Sequence, residues 1–384
     1  MGAMENVIDL RTGPLHGPRA SPRLRIGLIA PPWVSVPPTV YGGTELVIDH
    51  LARGFVAAGH DVTLFTTGDS TCPVRRRWVH PRAVGTTGEI LSELRHVQAA
   101  YEVLDGCDVI HDHTLLGPLW SAVESVRPVL VTTAHGEFTP ELASLFAALG
   151  KRLAVVSISE HHRSTAPSVP FAAVIHHGID VDAVPFGRGD GGYVLFLGRM
   201  SPDKGAHRAI QVARAAGKQL RIAAKMWEPA EHAYFDEQVA PLLGADAVYL
   251  GEVGGREKFD LLAGAEALLN PIRWPEPFGL VMIEALAAGT PVLTFAEGAA
   301  PEIVDHGTTG YVCADEADMA RRLATVSTLD RGQCRRAAQE RFSTSRMVDA
   351  HLALYGRLLA ARQVRTPQTP TTGGRHVTDE ANSR

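Results

Sequence analysis

The sequence predicts an α/β protein of two doubly wound, Rossmann-like domains facing a central cleft. Three observations carry this. Short runs rich in Val, Ile and Leu alternate with helical patterns, the cycle pauses near residue 180 and restarts, and 384 residues exceed one ordinary core but suit two.

The first cycle has apolar runs at 24–30 (LRIGLIA), 61–67 (DVTLFTT), 108–111 (DVIH), 129–134 (VLVTTA) and 153–159 (LAVVSIS). The second has them at 193–198 (YVLFLG), 220–224 (LRIAA), 247–251 (AVYLG), 267–271 (ALLNP) and 291–295 (PVLTF). Apolar strands separated by helices belong to a parallel sheet covered on both faces. Between the cycles, residues 178–192 (GIDVDAVPFGRGDGG) are Gly-rich without a period, which predicts a hinged linker. From about Thr344 to Ala361, Met347, Val348, Leu352, Tyr355, Leu358 and Leu359 recur at helical spacing. This predicts a terminal helix packing back across the junction. The expected divisions are a disordered tail (1–22, rich in Pro, Gly and Arg), an N-terminal domain (23–180), a C-terminal domain (181–343), the crossover helix (344–362) and a second disordered tail (363–384, polar and Pro/Gly/Thr-rich).

Hydrophobic residues at 45% and charged residues at 21% exclude a wholly disordered chain. A net charge of −5 gives no basic field for gripping nucleic acid. The one basic run, Arg75-Arg76-Arg77, reads either as a solvated loop or as a contact with an anionic membrane or acceptor. Cys72, Cys107, Cys313 and Cys334 form no CxxC pair, and no apolar segment reaches about 18 residues. A reducing, cytoplasmic setting without structural zinc is expected, with at most peripheral membrane contact. The bias toward Arg over Lys suggests a GC-rich bacterial source.

The segment WPEPFGLVMIEALAAGTPV places Glu276 in a Pro-bounded loop and Glu284 inside a helix that is otherwise apolar from Leu280 to Ala288. A buried carboxylate needs a dedicated partner. A ribose diol would serve, and so would an Arg in a structural pair. Gly279, after Phe278, allows close approach at the helix start, whose free N–H groups suit a diphosphate or a sugar hydroxyl, although a plain N-cap is the alternative. In YVLFLGRMSPDKG, Arg199 and Lys204 follow a strand's C-terminal end, where open α/β sheets bind ligands. The chain has only five lysines, so one kept here carries weight. Two fixed cations can neutralise a leaving pyrophosphate as a magnesium ion otherwise would. In the first cycle, Gly42-Gly43 precede a helix that Thr44 could cap, making a further anion-accepting turn. His111, His113 and His135 fall at strand ends on the same rim, where hydrogen bonding to sugar hydroxyls or a structural role is expected rather than zinc.

Taken together, these residues resemble the family 4 retaining glycosyltransferases of the GT-B fold. The match runs in order over about 24–360 and is most specific in EPFGLVMIE, followed by the GTPV and PEIV segments. Glu276 and Glu284 occupy the two positions of the family's E-x7-E signature. The resemblance implies an N-terminal acceptor-side domain and a C-terminal donor domain. It implies that Glu276 contacts the donor sugar, Glu284 binds the nucleotide ribose, and Arg199 and Lys204 hold the diphosphate. It further implies that Phe278, Gly279 and Leu280 line sugar and phosphate, that Gly42 and Gly43 face the diphosphate, and that His135 reaches the donor sugar. The co-substrate would be a UDP- or GDP-sugar, with no cofactor or metal, and the acceptor a small natural product, glycolipid or polysaccharide.

Two segments depart from the family pattern: His177-Gly178-Ile179-Asp180 where many members have an Asn-Gly-x-Asp turn, and Ala224-Lys225-Met226-Trp227 where many have a glycine-rich strand end. The rivals are an epimerase, a phosphorylase needing a pyridoxal lysine for which Lys225 and Lys258 are weak candidates, and a non-catalytic sugar-nucleotide binder.

Overall fold

A computed structural model describes residues 22–85, 88–123 and 126–365. The N-terminal half carries β1 (Arg25–Ile29), α1 (Gly43–Ala57), β2 (Asp61–Phe65), β3 (Arg75–Arg77), α2 (Ile90–Leu104), β4 (Val109–Asp112), α3 (Gly117–Val123), β5 (Val129–Thr133), α4 (Pro140–Leu149), β6 (Ala154–Ser157), α5 (Glu160–Ser164) and β7 (Phe171–Val174). The C-terminal half carries β8 (Val194–Arg199), α6 (Ala206–Ala215), β9 (Leu220–Lys225), α7 (Pro229–Tyr234), β10 (Ala247–Gly251), α8 (Gly255–Gly264), β11 (Leu268–Asn270), α9 (Leu280–Ala287), β12 (Val292–Phe295), α10 (Ala300–Ile303), β13 (Gly310–Cys313), α11 (Glu316–Leu323) and α12 (Arg331–Phe342). Helix α13 (Thr344–Arg365) follows.

Each half holds one sheet, ordered β3-β2-β1-β4-β5-β6-β7 and β10-β9-β8-β11-β12-β13, and every strand pairing is parallel. Both orders reverse beside the first strand of the sheet, so both switch points open toward the cleft. The expected fold class is the observed one, and all ten expected apolar runs are strands.

Three strands escape the pattern. Strands β7 and β13 are four residues each, and β3 is Arg75-Arg76-Arg77 itself. The arginine run is therefore an edge strand on β2 and not a loop, with Arg75 3.4 Å from Asp61. Charged side chains suit a sheet edge, where they oppose pairing with another chain.

The linker is also firmer than expected. The N–H groups of Gly187, Gly189 and Gly191 donate to the carbonyls of Ala288, Ala263 and Gly264, tying residues 187–191 to the C-terminal half. The preceding residues are held as well, with Ile179, Val181 and Val184 buried in the core of the C-terminal half. There the Ile179 N–H donates to the Phe342 carbonyl at 2.9 Å, and the Thr344 N–H donates to the Ile179 carbonyl at 2.9 Å.

Helix α13 crosses to the N-terminal half and buries Met347, Val348, Leu354 and Tyr355 in the core built by Ile26, Leu28, Val47, Leu51 and Phe55. Residues 1–21 and 366–384 lie outside the described residues. Residues 363–365, read above as tail, instead continue α13, which is described to Arg365. Among the described residues no helix is long and apolar enough to cross a membrane. All four cysteines are free.

Candidate active site

The C-terminal wall of the cleft is built where β8 and β9 end in register at Arg199 and Lys225. Lys204 lies in the turn entering α6 and forms an ion pair with Oε1 of Glu276, and its Nζ stands 5.2 Å from the centre of the Trp274 ring. The second oxygen of Glu276 is buried without a hydrogen-bond partner among the described residues. Arg199 lies 3.5 Å from Asp203 and 3.8 Å from Glu231, and its buried Nε is likewise unbonded. Glu231 also faces Lys225 at 3.6 Å. Thus the wall alternates cations with carboxylates and keeps unfilled hydrogen-bonding capacity on both signs.

Glu284, on the buried helix α9, is 5% exposed. Its partner is Lys258 of α8, whose Nζ donates to Oε1 at 2.6 Å. Helix α9 starts on Gly279 at φ +104, a left-handed conformation open to glycine, and a Cβ there would stand 3.3 Å from Oε2 of Glu276. Phe278 is buried against His177 at 5.1 Å in an edge-to-face contact. Leu280 packs on the cores of both halves.

The N-terminal wall is the glycine turn. Helix α1 begins at Gly43 on Gly42, with no side chain capping it. Thr44 therefore sits inside the first turn and is not the cap. A Cβ on Gly43 would stand 3.0 Å from Cδ1 of Leu280, so the two helix starts meet across the junction. Burial lifts the nearby Glu45 carboxyl to about 7, against a hydrogen bond from its own backbone N–H. Tyr41, before the glycines, meets Trp227 edge-on at 6.3 Å, and Lys225 lies over both rings.

Further bonds join the halves. Ser159 Oγ donates to the Pro277 carbonyl at 2.6 Å, and the N–H groups of Glu160 and His161, opening α5, donate to Glu302 at 2.9 and 2.6 Å. Trp274 Nε1 donates to Glu137 at 3.1 Å.

The histidines do not share one role. His111 is fully buried, with one ring nitrogen bonded to Tyr355 and the other to Thr133, leaving neither for a ligand. His113 is bonded through Nδ1 to Nε2 of His135 at 2.9 Å. His135 is the partly exposed ring of this pair and stacks on His177 at 5.2 Å. Burial, with neighbouring imidazoles adding to it, holds His135 down to about 3 and His111, His113 and His177 well below the ordinary 6.5. All four rings are neutral at pH 7. Among the described residues, no three His, Cys, Asp or Glu side chains cluster as metal ligands.

The sequence reading missed Tyr41, Glu231, Trp274 and Glu302 as cleft residues, and named Lys225 and Lys258 only as candidate pyridoxal lysines, not as partners of Glu231 and Glu284. For the two lysines a signal existed: the scarcity that singled out Lys204 applied equally to Lys225 and Lys258.

Two family descriptions match the chain, glycosyltransferase family 4 over residues 41–183 and glycosyl transferases group 1 over residues 183–341. The glycogen synthase of Mycobacterium tuberculosis is 27% identical, covering 86% of this chain and 94% of its own. The D-inositol 3-phosphate glycosyltransferase of Mycolicibacterium smegmatis is 27% identical, over 74% of this chain and 73% of its own. Among solved structures, AviGT4, a glycosyltransferase of avilamycin A biosynthesis, superposes with a TM-score of 0.67 at 28% identity, covering 88% of this chain and 98% of that one. Anabaena HepE, solved with UDP and glucose, has the same fold, with a TM-score of 0.70 at 19% identity over 87% of this chain and 100% of that one. With two parallel-sheet halves, a crossover helix and an E-x7-E loop at their junction, the chain belongs to the family 4 glycosyltransferases of the GT-B fold.

Proposed function

We propose that the enzyme transfers a hexose-like sugar from a UDP- or GDP-sugar to an acceptor hydroxyl, with retained anomeric configuration and without a metal. The observation that carries this is the pair of unfilled atoms in the C-terminal wall, Nε of Arg199, 3.8 Å from Glu231, and Oε2 of Glu276, the ion-pair partner of Lys204; both are buried and neither makes a hydrogen bond among the described residues. A donor offers complements to each: phosphate oxygens accept from Arg199, and a sugar hydroxyl donates to Glu276. Glu284 and Lys258 would take the ribose hydroxyls as acceptor and donor groups, respectively, of a ready-made pair. The open starts of α1 and α9 would receive the diphosphate between them. HepE, solved with UDP-glucose, supports a UDP-sugar as the first donor to test.

The sequence offers no evident carboxylate nucleophile. The leaving phosphate therefore departs from the face that the acceptor enters and accepts the acceptor's proton, while Arg199 and Lys204 stabilise the charge that develops. A thermal-shift screen tests the reading. A ligand at about 100 times its Kd adds about 2.7 kcal/mol, so UDP, GDP or one of their sugars should raise Tm by several degrees. No shift with any UDP or GDP compound would overturn the donor assignment.

A further inference from the structure

The hydrogen bond between His113 and His135 joins two neutral imidazoles, so one proton lies between them and only two tautomer pairs fit. If His135 donates from Nε2, His113 must carry its own proton on Nε2. That nitrogen is buried without a partner among the described residues, so the arrangement leaves an orphaned N–H in the core. If instead His113 donates from Nδ1, its Nε2 is a bare lone pair. Buried N–H groups without an acceptor are the rarer of the two faults in native proteins. His111, whose ring centre lies 4.2 Å from that of His113, has both nitrogens bonded elsewhere and offers neither as an acceptor.

We infer that His113 is a positioning residue that fixes the tautomer of His135, holding the His135 proton on Nδ1 and making that ring a hydrogen-bond donor toward the cleft. His135 accepts through Nε2 from a ring anchored in the core, and its Nδ1–H is left for a ligand oxygen. Its plane is fixed by the stack on His177, which in turn rests on Phe278 of the E-x7-E loop. Where the reading of His135 as a donor-sugar contact holds, this means the histidine gives a proton to a sugar oxygen in a hydrogen bond and does not take one.

The test separates the tautomer from the sugar role. Long-range proton–nitrogen NMR on the ¹⁵N-labelled full chain, with the His135 ring identified by its loss in His135→Gln, shows which nitrogen carries the proton without any ligand. The expected result is a protonated Nδ1 and a bare Nε2 on His135, retained in His113→Asn, whose amide N–H stands near the place of Nδ1, and lost in His113→Phe. A protonated Nε2 on wild-type His135, or an unchanged tautomer in His113→Phe, would overturn the inference. Transfer or hydrolysis of UDP-glucose is read separately. In His113→Phe, kcat should fall about tenfold or more with KM little changed, and His113→Asn should recover most of it. An unchanged kcat beside a shifted tautomer overturns the link to the reaction, whereas failure of the wild type to bind or turn over any nucleotide sugar strikes the proposed function alone.

Discussion

The backbone N–H of Thr344 donates to the carbonyl of Ile179, so the two places where the chain crosses between the halves are hydrogen-bonded to each other. The junction is thus a paired double strand and not a single tether. Gly178 makes it possible: a Cβ there would stand 2.5 Å from the Ser343 carbonyl oxygen. Gly178→Ala should force the crossings apart and cost about 1–3 kcal/mol. A lower urea midpoint with near-native circular dichroism is expected, and an unchanged midpoint would show that the crossings tolerate separation.

The buried histidines predict an acid-sensitive core. Burial, before any other cause, holds His96, His162 and His351 down to about 4 and His135 to about 3, against an ordinary 6.5. The unfolded chain takes up these protons near 6.5 and the folded chain does not, so their stabilising effect is complete above that value. It is lost as pH falls from 6.5 toward the folded values, at about 1.4 kcal/mol per pH unit for each such group. Urea midpoints should be flat above about pH 7 and drop steeply below about pH 6. A flat curve through pH 5 would mean that these rings are accessible to water.

The two carboxylates of the signature should separate in binding. Glu284→Ala should weaken the free nucleoside diphosphate and the sugar donor alike, by tenfold or more. It also strands Lys258, at about 1–3 kcal/mol of stability. Glu276→Ala should spare the free nucleotide and damage turnover. Isothermal titration with UDP against steady-state kinetics checks this, and equal losses of UDP affinity in both variants would refute the division.

Lys204→Ala should lower kcat by about 10²–10³, with a smaller loss of donor affinity, as expected for deleting one preorganised charge. Because this also unpairs Glu276, Glu276→Gln in the same background measures how much of the loss belongs to the stranded carboxylate. Arg199→Lys should rescue only in part, since a point charge does not reproduce a planar fork on two phosphate oxygens. If both cation variants keep kcat within about twofold, the diphosphate is held elsewhere.

Turnover should persist in excess EDTA, because the proposed charge neutralisation comes from side chains. Activity lost in chelator and restored by magnesium or manganese would replace that mechanism with a metal-bridged one.

The sheets were legible because most of their strands are buried and read as continuous apolar runs, and even β10, exposed at Val248 and Leu250, keeps an apolar run. Strand β3 was not, since its three arginines carry no apolar run and its identity depends on the free edge of β2. The same contrast holds in the cleft. Glu276 and Glu284 stand out as carboxylates in apolar or Pro-bounded settings, but their partners Lys204 and Lys258 lie 72 and 26 residues away in sequence. Such pairs follow from which strands lie side by side, which local periodicity does not encode. The linker was misjudged for a related reason: glycine content signals backbone freedom, whereas at Gly187 the absent side chain admits the Ala263 carbonyl, 1.9 Å from where a Cβ would be.

The burial of α13 in the opposite half also bears on the order in which the chain can be made. Met347, Val348, Leu354 and Tyr355 complete a core whose other members begin at Ile26. The half that leaves the ribosome first therefore waits, with an apolar groove along α1, while the whole second half is synthesised and folds between its own two crossings. In this sense the C-terminal half is an insertion into the N-terminal one, and the earliest segments to emerge are among the last to be sealed.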